Sequence, residues 1–141
     1  MTTPIPWSHT SLDDFVNCPR AFYEKRVAKS VKEEESEQLI WGNKVHKAFE
    51  LRVKDGTPLP DILAEHEPYL NSLVVKLGDH ATEQKIALNL KGQPCGFFDK
   101  DVWFRGVIDY HSIFHSVAEV VDYKTGKPHQ KFKQLKLRTL F

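Results

Sequence analysis

Apolar residues recur at helical spacing through the first half of the chain and at strand spacing through much of the second. Ser11-Leu-Asp-Asp14 offers a capping box, with Leu12, Phe15 and Val16 following on one helical face. Pro19 ends that helix and suits the first position of another, which carries Phe22 and Tyr23 inward. Lys32 to Glu37 reads as a charged connector. Trp41, Val45, Ala48, Phe49 and Arg52 mark an amphipathic helix that stops near Asp55-Gly56. Leu63, His66, Leu70, Leu73 and Leu77 form a further stripe, interrupted by Pro68 and stopped by Gly78. The period then changes. Glu83 to Leu90 alternates loosely, and Gly92, Pro94 and Gly96 supply turn chemistry. Val102 to Phe114 and Val117 to Tyr123 carry the Val, Ile, Phe and Trp typical of strands. Gly126 and Pro128 punctuate, and the segment from Pro128 to Phe141 reads as a basic helix. This order predicts a mixed α+β (α/β) fold in a single domain, one mixed sheet flanked by helices. Its helical part covers residues 8–78, and residues 81–141 hold the strand meander and the basic C-terminal helix.

Composition narrows the class. The chain has 141 residues, 40% of them hydrophobic, with nine Phe, four Tyr and three Trp, which excludes a disordered chain. No apolar stretch approaches the ~18 residues of a membrane span, and Met1-Thr-Thr-Pro-Ile-Pro lacks the basic and apolar regions of a signal peptide. Cys18 and Cys95 cannot make a disulfide framework or a four-cysteine metal site. The expectation is a soluble domain from a reducing compartment, the cytoplasm. Net charge is +1 but uneven. Lys124, Lys127, Lys131, Lys133, Lys136 and Arg138 meet no acid after Lys124, whereas the preceding residues carry a net −5. A basic end on an acidic body suits a polyanionic partner; a solvated basic helix face is the plain alternative.

The chemistry concentrates in two strand segments. Alternation in Val120-Val-Asp-Tyr-Lys124 puts Asp122 and Lys124 on one face. A hairpin turning at His115-Ser116 brings Asp109 directly opposite Asp122, with Cβ atoms roughly 4.5–5.5 Å apart. Like charges so placed call for a cation, and Mg²⁺ or Mn²⁺ suits carboxylate oxygens. Set against this, Asp-x-Lys alone reads as a surface ion pair, His46 borders the apolar stripe of Val45 and Phe49 and can be a core histidine, and Cys18 reads as buried packing. A zinc site built from the other six histidines is the weakest reading, since they show no metal spacing.

Gly106-x-x-Asp109 followed by Asp122-Tyr-Lys124-Thr-Gly126 resembles the PD-(D/E)xK nuclease superfamily, specifically its RecB-like exonuclease branch. Ser11-x-Leu-x-x-Phe-x-x-Cys-Pro19-x-x-Phe22 is similar to the N-terminal helical signature of that branch, Gly42-x-x-x-His46 to its histidine motif, and Gln134 to the start of its Gln-x-x-x-Tyr helix. The resemblance implies a restriction-endonuclease-like core and a metal held by Asp109, Asp122, His46 and the Tyr123 backbone carbonyl. Glu83 matches an acidic position of the family. Lys124 would orient the attacking water and steady the developing charge. Gln134, Lys127, Lys131, Lys133, Lys136 and Arg138 would meet DNA.

The chain also departs from the family pattern. Arg138 stands where the family has Tyr, and only Cys18 matches a cysteine of the iron–sulfur members, so no cluster is expected. The chain stops at Phe141, inside the helix that should precede further core strands. That predicts a shortened domain whose open end is covered by self-association or a partner subunit. The function implied is a Mg²⁺- or Mn²⁺-dependent deoxyribonuclease, an exonuclease of DNA recombination, repair or phage DNA processing. The alternative is a catalytically inactive module that binds DNA or a protein partner without cutting.

Overall fold

The computed structural model describes residues 5–32, 34–76 and 78–126. The expected basic helix, with Lys127, Lys131, Lys133, Gln134, Lys136 and Arg138, lies outside them, as does Leu77. The fold is mixed α+β: helices α1 (His9–Asn17), α2 (Pro19–Phe22), α3 (Glu37–Asp55) and α4 (Glu67–Val74), and strands β1 (Asp79–Asn89), β2 (Val102–Phe114) and β3 (Val117–Val121). The strands form one sheet in the order β1-β2-β3, consistent with a restriction-endonuclease-like core. The chain divides into two compact units. One comprises the residues up to Glu34 together with Lys85–Val107; the other comprises Glu35–Gln84 and the segment that starts at Ile108.

In the first unit the helix start differs from the expected one. Ser8, not Ser11, caps α1: the Ser11 N–H donates to Ser8 Oγ at 3.2 Å, and the Ser8 N–H donates to Ser11 Oγ at 2.7 Å. The box is made by two serines, so an acid at the third position is not required. Pro19 opens α2 as expected, but Cys18 is exposed rather than packed, and its Sγ accepts the Ala21 N–H. A π-helical turn (Tyr23–Val27) follows, and it turns Tyr23 outward while Phe22 stays buried. Trp7 stacks on Phe22 at 5.2 Å between ring centroids, and Phe15 meets both rings edge-on. Val16, 71% exposed, takes no part in this cluster.

The second unit holds a contiguous apolar core. Val45, Phe49 and Val53 repeat every fourth residue along α3 and meet Leu59, Leu63, Leu70, Leu73, Tyr110 and Tyr123. Gly56, with φ of 72°, ends α3 in the left-handed cap that the Asp55-Gly56 signal predicts. The next stripe is split: a 3₁₀ turn (Asp61–His66) precedes α4, and Pro68 falls in the first turn of α4, where it initiates rather than interrupts. Gly78 has φ of 106°, and a Cβ there would lie 2.2 Å from the Ile113 carbonyl oxygen, so only glycine fits. Tyr110 is fully buried and its hydroxyl donates to the Leu73 carbonyl at 3.0 Å. Tyr110→Phe therefore strands a buried acceptor and should cost about 1 kcal/mol in a chemical melt; no measurable change would show that water or another donor replaces the hydroxyl.

β2 and β3 pair antiparallel from Phe114↔Val117 to Tyr110↔Val121, so the hairpin turns on His115 and Ser116. His115 has φ of 52°, the left-handed conformation that such two-residue turns need. The next step of that register would be Asp109 opposite Asp122, but the ladder stops at Val121. Asp109 lies within β2, which continues to Phe114, and does not end it.

Candidate metal centre

Three side chains of the second unit bring ligand atoms together: His46, Glu83 and Asp109, all within 4.8 Å of one another. Each comes from a different element. His46 sits on α3, one turn after Gly42, where a Cβ would come 3.3 Å from Thr125 Oγ1. Thus Gly42 and Thr125, which belong to two of the motifs read in the sequence, meet in space. Glu83 lies within β1 at a φ of 51°, which is rare for a residue with a side chain and re-aims it out of the strand's alternation. Asp109 lies in β2 and is buried; its Oδ2 accepts the Tyr123 N–H at 2.7 Å and stands 3.5 Å from His46 Nδ1.

The electrostatics of the group are those of negative charge held out of water. Asp109 beside His46 raises the imidazole pKa, and the Tyr123 carbonyl adds to the effect against the opposing cost of burial. Burial pushes the Glu83 carboxyl up, and the neighbouring Asp109 and Glu50 charges push it further. One imidazole and two carboxylates, one of them disfavoured as a bare anion by burial and by its like-charged neighbours, match the donor set of a divalent cation.

Asp122 does not join this group. Its side chain is 4% exposed and its Oδ2 lies 2.5 Å from Lys124 Nζ. The register that would set Asp109 opposite Asp122 as facing carboxylates stops one pair short, at Tyr110↔Val121. The strand ends a residue early, the Tyr123 N–H turns onto Asp109, and Glu83 supplies the second carboxylate of the cluster. Asp122 and Lys124 do share a side, as alternation predicts, and they meet as an ion pair. Tyr123 stands at the site with its N–H on Asp109, its carbonyl by His46 and its ring edge-on to the imidazole at 5.8 Å. Its buried hydroxyl has no hydrogen-bond partner among the described residues.

None of the other five described histidines (His9, His66, His80, His111 and His115) joins a group of three potential ligands. A second group, Cys95, Asp99 and Asp101, belongs to the first unit; both its carboxylates are exposed, and Asp99 accepts the Gly96 N–H at 2.6 Å. A family model of the PD-(D/E)XK nuclease superfamily matches residues 6–139. The chain belongs to that superfamily. Searches of curated proteins and of solved structures return no match. PD-(D/E)XK proteins are typically divalent-metal nucleases that act on DNA, and the donor set of His46, Glu83 and Asp109 suits that chemistry. No helix among the described residues is long and apolar enough to cross a membrane.

The raised pKa values set a pH dependence. A group whose folded pKa is raised contributes stability at low pH and loses it as pH rises through that pKa. The Glu83 contribution fades above its ordinary 4.5, and the His46 contribution above its ordinary 6.5. A cation competes with both protons, so its binding strengthens over the same range. Thermal melts from pH 5 to pH 8 should show Mn²⁺ adding little at the acid end and progressively more towards the alkaline end. A metal effect independent of pH would place the ion elsewhere.

Proposed function

We propose that this chain is a RecB-like, divalent-metal-dependent deoxyribonuclease, an exonuclease serving DNA recombination, repair or phage DNA processing in the cytoplasm. The observation that carries the reading is the meeting of His46, Glu83 and Asp109 beside the Asp122–Lys124 pair, in a chain of this superfamily. The RecB-like assignment is supported by the order of motifs: Ser11 to Phe22, Gly42 to His46, Asp109, then Asp122 to Gly126. His46, Glu83 and Asp109 would hold Mg²⁺ or Mn²⁺, with the Tyr123 carbonyl beside them and Asp122 next along the chain. Bound there, the ion would make water more acidic and stabilise charge on the phosphoryl oxygens.

The protein's own groups supply the rest. The Lys124 ammonium, held by the buried Asp122 carboxylate, orients the attacking water and steadies the negative charge that develops on the phosphate. Water oxygen bonds to phosphorus as the bond to the 3′ oxygen breaks, leaving a 5′-phosphate and a 3′-hydroxyl that takes up the water's proton. Lys127, Lys131, Lys133, Gln134, Lys136 and Arg138, which follow in sequence, supply phosphate contacts in this reading.

End-labelled single- and double-stranded DNA incubated with the purified protein tests this. Cleavage should require Mn²⁺ or Mg²⁺, with Mn²⁺ at least as effective because it tolerates an imidazole ligand better. EDTA should abolish it. Cutting in excess chelator would overturn the metal mechanism, and DNA binding without cutting under any cation would leave a binding module instead.

A further inference from the structure

The first unit carries a cleft of about 1440 Å³ that shares no residue with the His46 group. Its cations are Lys25, Arg26, Lys29, Lys91, Lys100 and Arg105, set against a single acid, Asp101. Asp14, at 2.8 Å, balances Arg26. Even with Lys25 left out of the count, Lys29, Lys91, Lys100 and Arg105 outnumber Asp101. The cations come from separate stretches of chain, the π turn, the loop after β1 and strand β2, so they spread along the walls and do not converge on one point.

Aromatic surface lies among these charges. Trp103, on β2, is 43% exposed. Trp7 is fixed beside it by backbone bonds: its N–H donates to the Trp103 carbonyl at 2.8 Å, and its carbonyl accepts the Arg105 N–H at 2.9 Å. Behind Trp7 stands the buried Phe22, stacked at an interplanar angle of 12°. Both indoles are thus held by the sheet backbone, and one presents its ring to solvent.

We propose that this cleft binds an unpaired DNA strand, with bases stacked on Trp103 and phosphates along the Lys25–Lys29, Lys91–Lys100 and Arg105 walls. The volume exceeds the roughly 300–1,000 Å³ of a small-ligand pocket, which favours several nucleotides over one. Dispersed cations suit a chain of phosphates better than a single anion, and an exposed indole needs a base whose face is free, which a duplex does not offer. The inference deepens the nuclease reading by naming the form of its substrate, and it rests on that reading for the choice of DNA.

The test is binding of a fluorescent oligothymidylate and of a duplex of equal length to the full chain in EDTA, where no cleavage occurs. The single strand should bind more tightly and quench tryptophan emission. Trp103→Ala should weaken it roughly 5- to 100-fold, the range for loss of one base–aromatic stack, while Trp103→Phe keeps most of the affinity. The double variant Lys91→Glu, Lys100→Glu, at exposed positions, should weaken binding and flatten its dependence on salt. Equal affinity for strand and duplex, unmoved by Trp103→Ala and by the charge reversal, would overturn the cleft as a strand site even if the protein cuts DNA. Binding that follows these variants in a protein that never cuts would uphold the cleft and refute the nuclease reading.

Discussion

Asp109→Asn should lower DNA cleavage by about 10³-fold or more, because a metal centre supplies several kcal/mol of charge stabilisation and each 1.36 kcal/mol is a factor of ten. Asp109 is coupled to both other members of the cluster: its Oδ2 lies 3.5 Å from His46 Nδ1, and its charge helps push Glu83 up. The change should be mild for the fold, since the asparagine carbonyl can still accept the Tyr123 N–H that Asp109 accepts at 2.7 Å. Removing the charge also relieves the half-buried carboxyl of Glu83. The variant without metal should therefore melt within about 1 kcal/mol of the wild type. Metal-induced stabilisation, about 2.7 kcal/mol for a cation at a hundred times its Kd, should disappear. The His46 proton reports the same change: with Asp109 neutral, its principal support is gone and its pKa falls, which NMR titration of the imidazole reads directly. A variant that keeps the full metal-induced shift would remove Asp109 from the centre.

Lys124→Met should separate chemistry from metal binding. Its ammonium is 63% exposed while its partner Asp122 is nearly closed off, so the charge points outward from a fixed base. Methionine keeps the stem and deletes the charge. Cleavage should fall roughly 10²–10³-fold, the usual effect of losing one charge-stabilising donor. The metal-induced thermal shift should remain, in contrast to Asp109→Asn. Because the ammonium is largely exposed and screened, its loss should cost no more than about 1 kcal/mol of stability. If the shift vanished together with activity, Lys124 would be acting on the metal site and not on the phosphate.

How far the sequence shows this arrangement depends on the kind of signal. The second unit was legible because its stripe is strong: Val45 and Phe49, read on one face, enter the core, where the unread Val53 joins them, and Gly56 closes the helix as a left-handed cap. The hairpin was legible too, since a turn at His115-Ser116 puts Tyr110 against Val121 in the observed register. The site was half legible. Gly42, His46 and Asp109 lie in motifs with fixed spacing, but alternation alone carries the strand through Asp122, and nothing local shows that the ladder ends at Val121. Glu83 was readable only as a weaker match, because its membership depends on a positive φ within β1. A glutamate is not a residue from which such backbone is expected. Trp7 and Trp103 were missed altogether as a pair. They are 96 positions apart, and only the backbone bridge between Trp7 and β2 joins them. The aromatic and basic character of Lys91 to Arg105 was a signal that could have drawn attention to that stretch.

His46, Glu83 and Asp109 are the proposed metal centre. Pulsed EPR of the Mn²⁺-loaded protein reads that ligand set, because a coordinated imidazole nitrogen modulates the Mn²⁺ signal. The wild type should show nitrogen coupling, and His46→Ala should lose it while retaining its fold by circular dichroism. Absence of nitrogen coupling in the wild type, or its persistence in His46→Ala, would contradict the assignment.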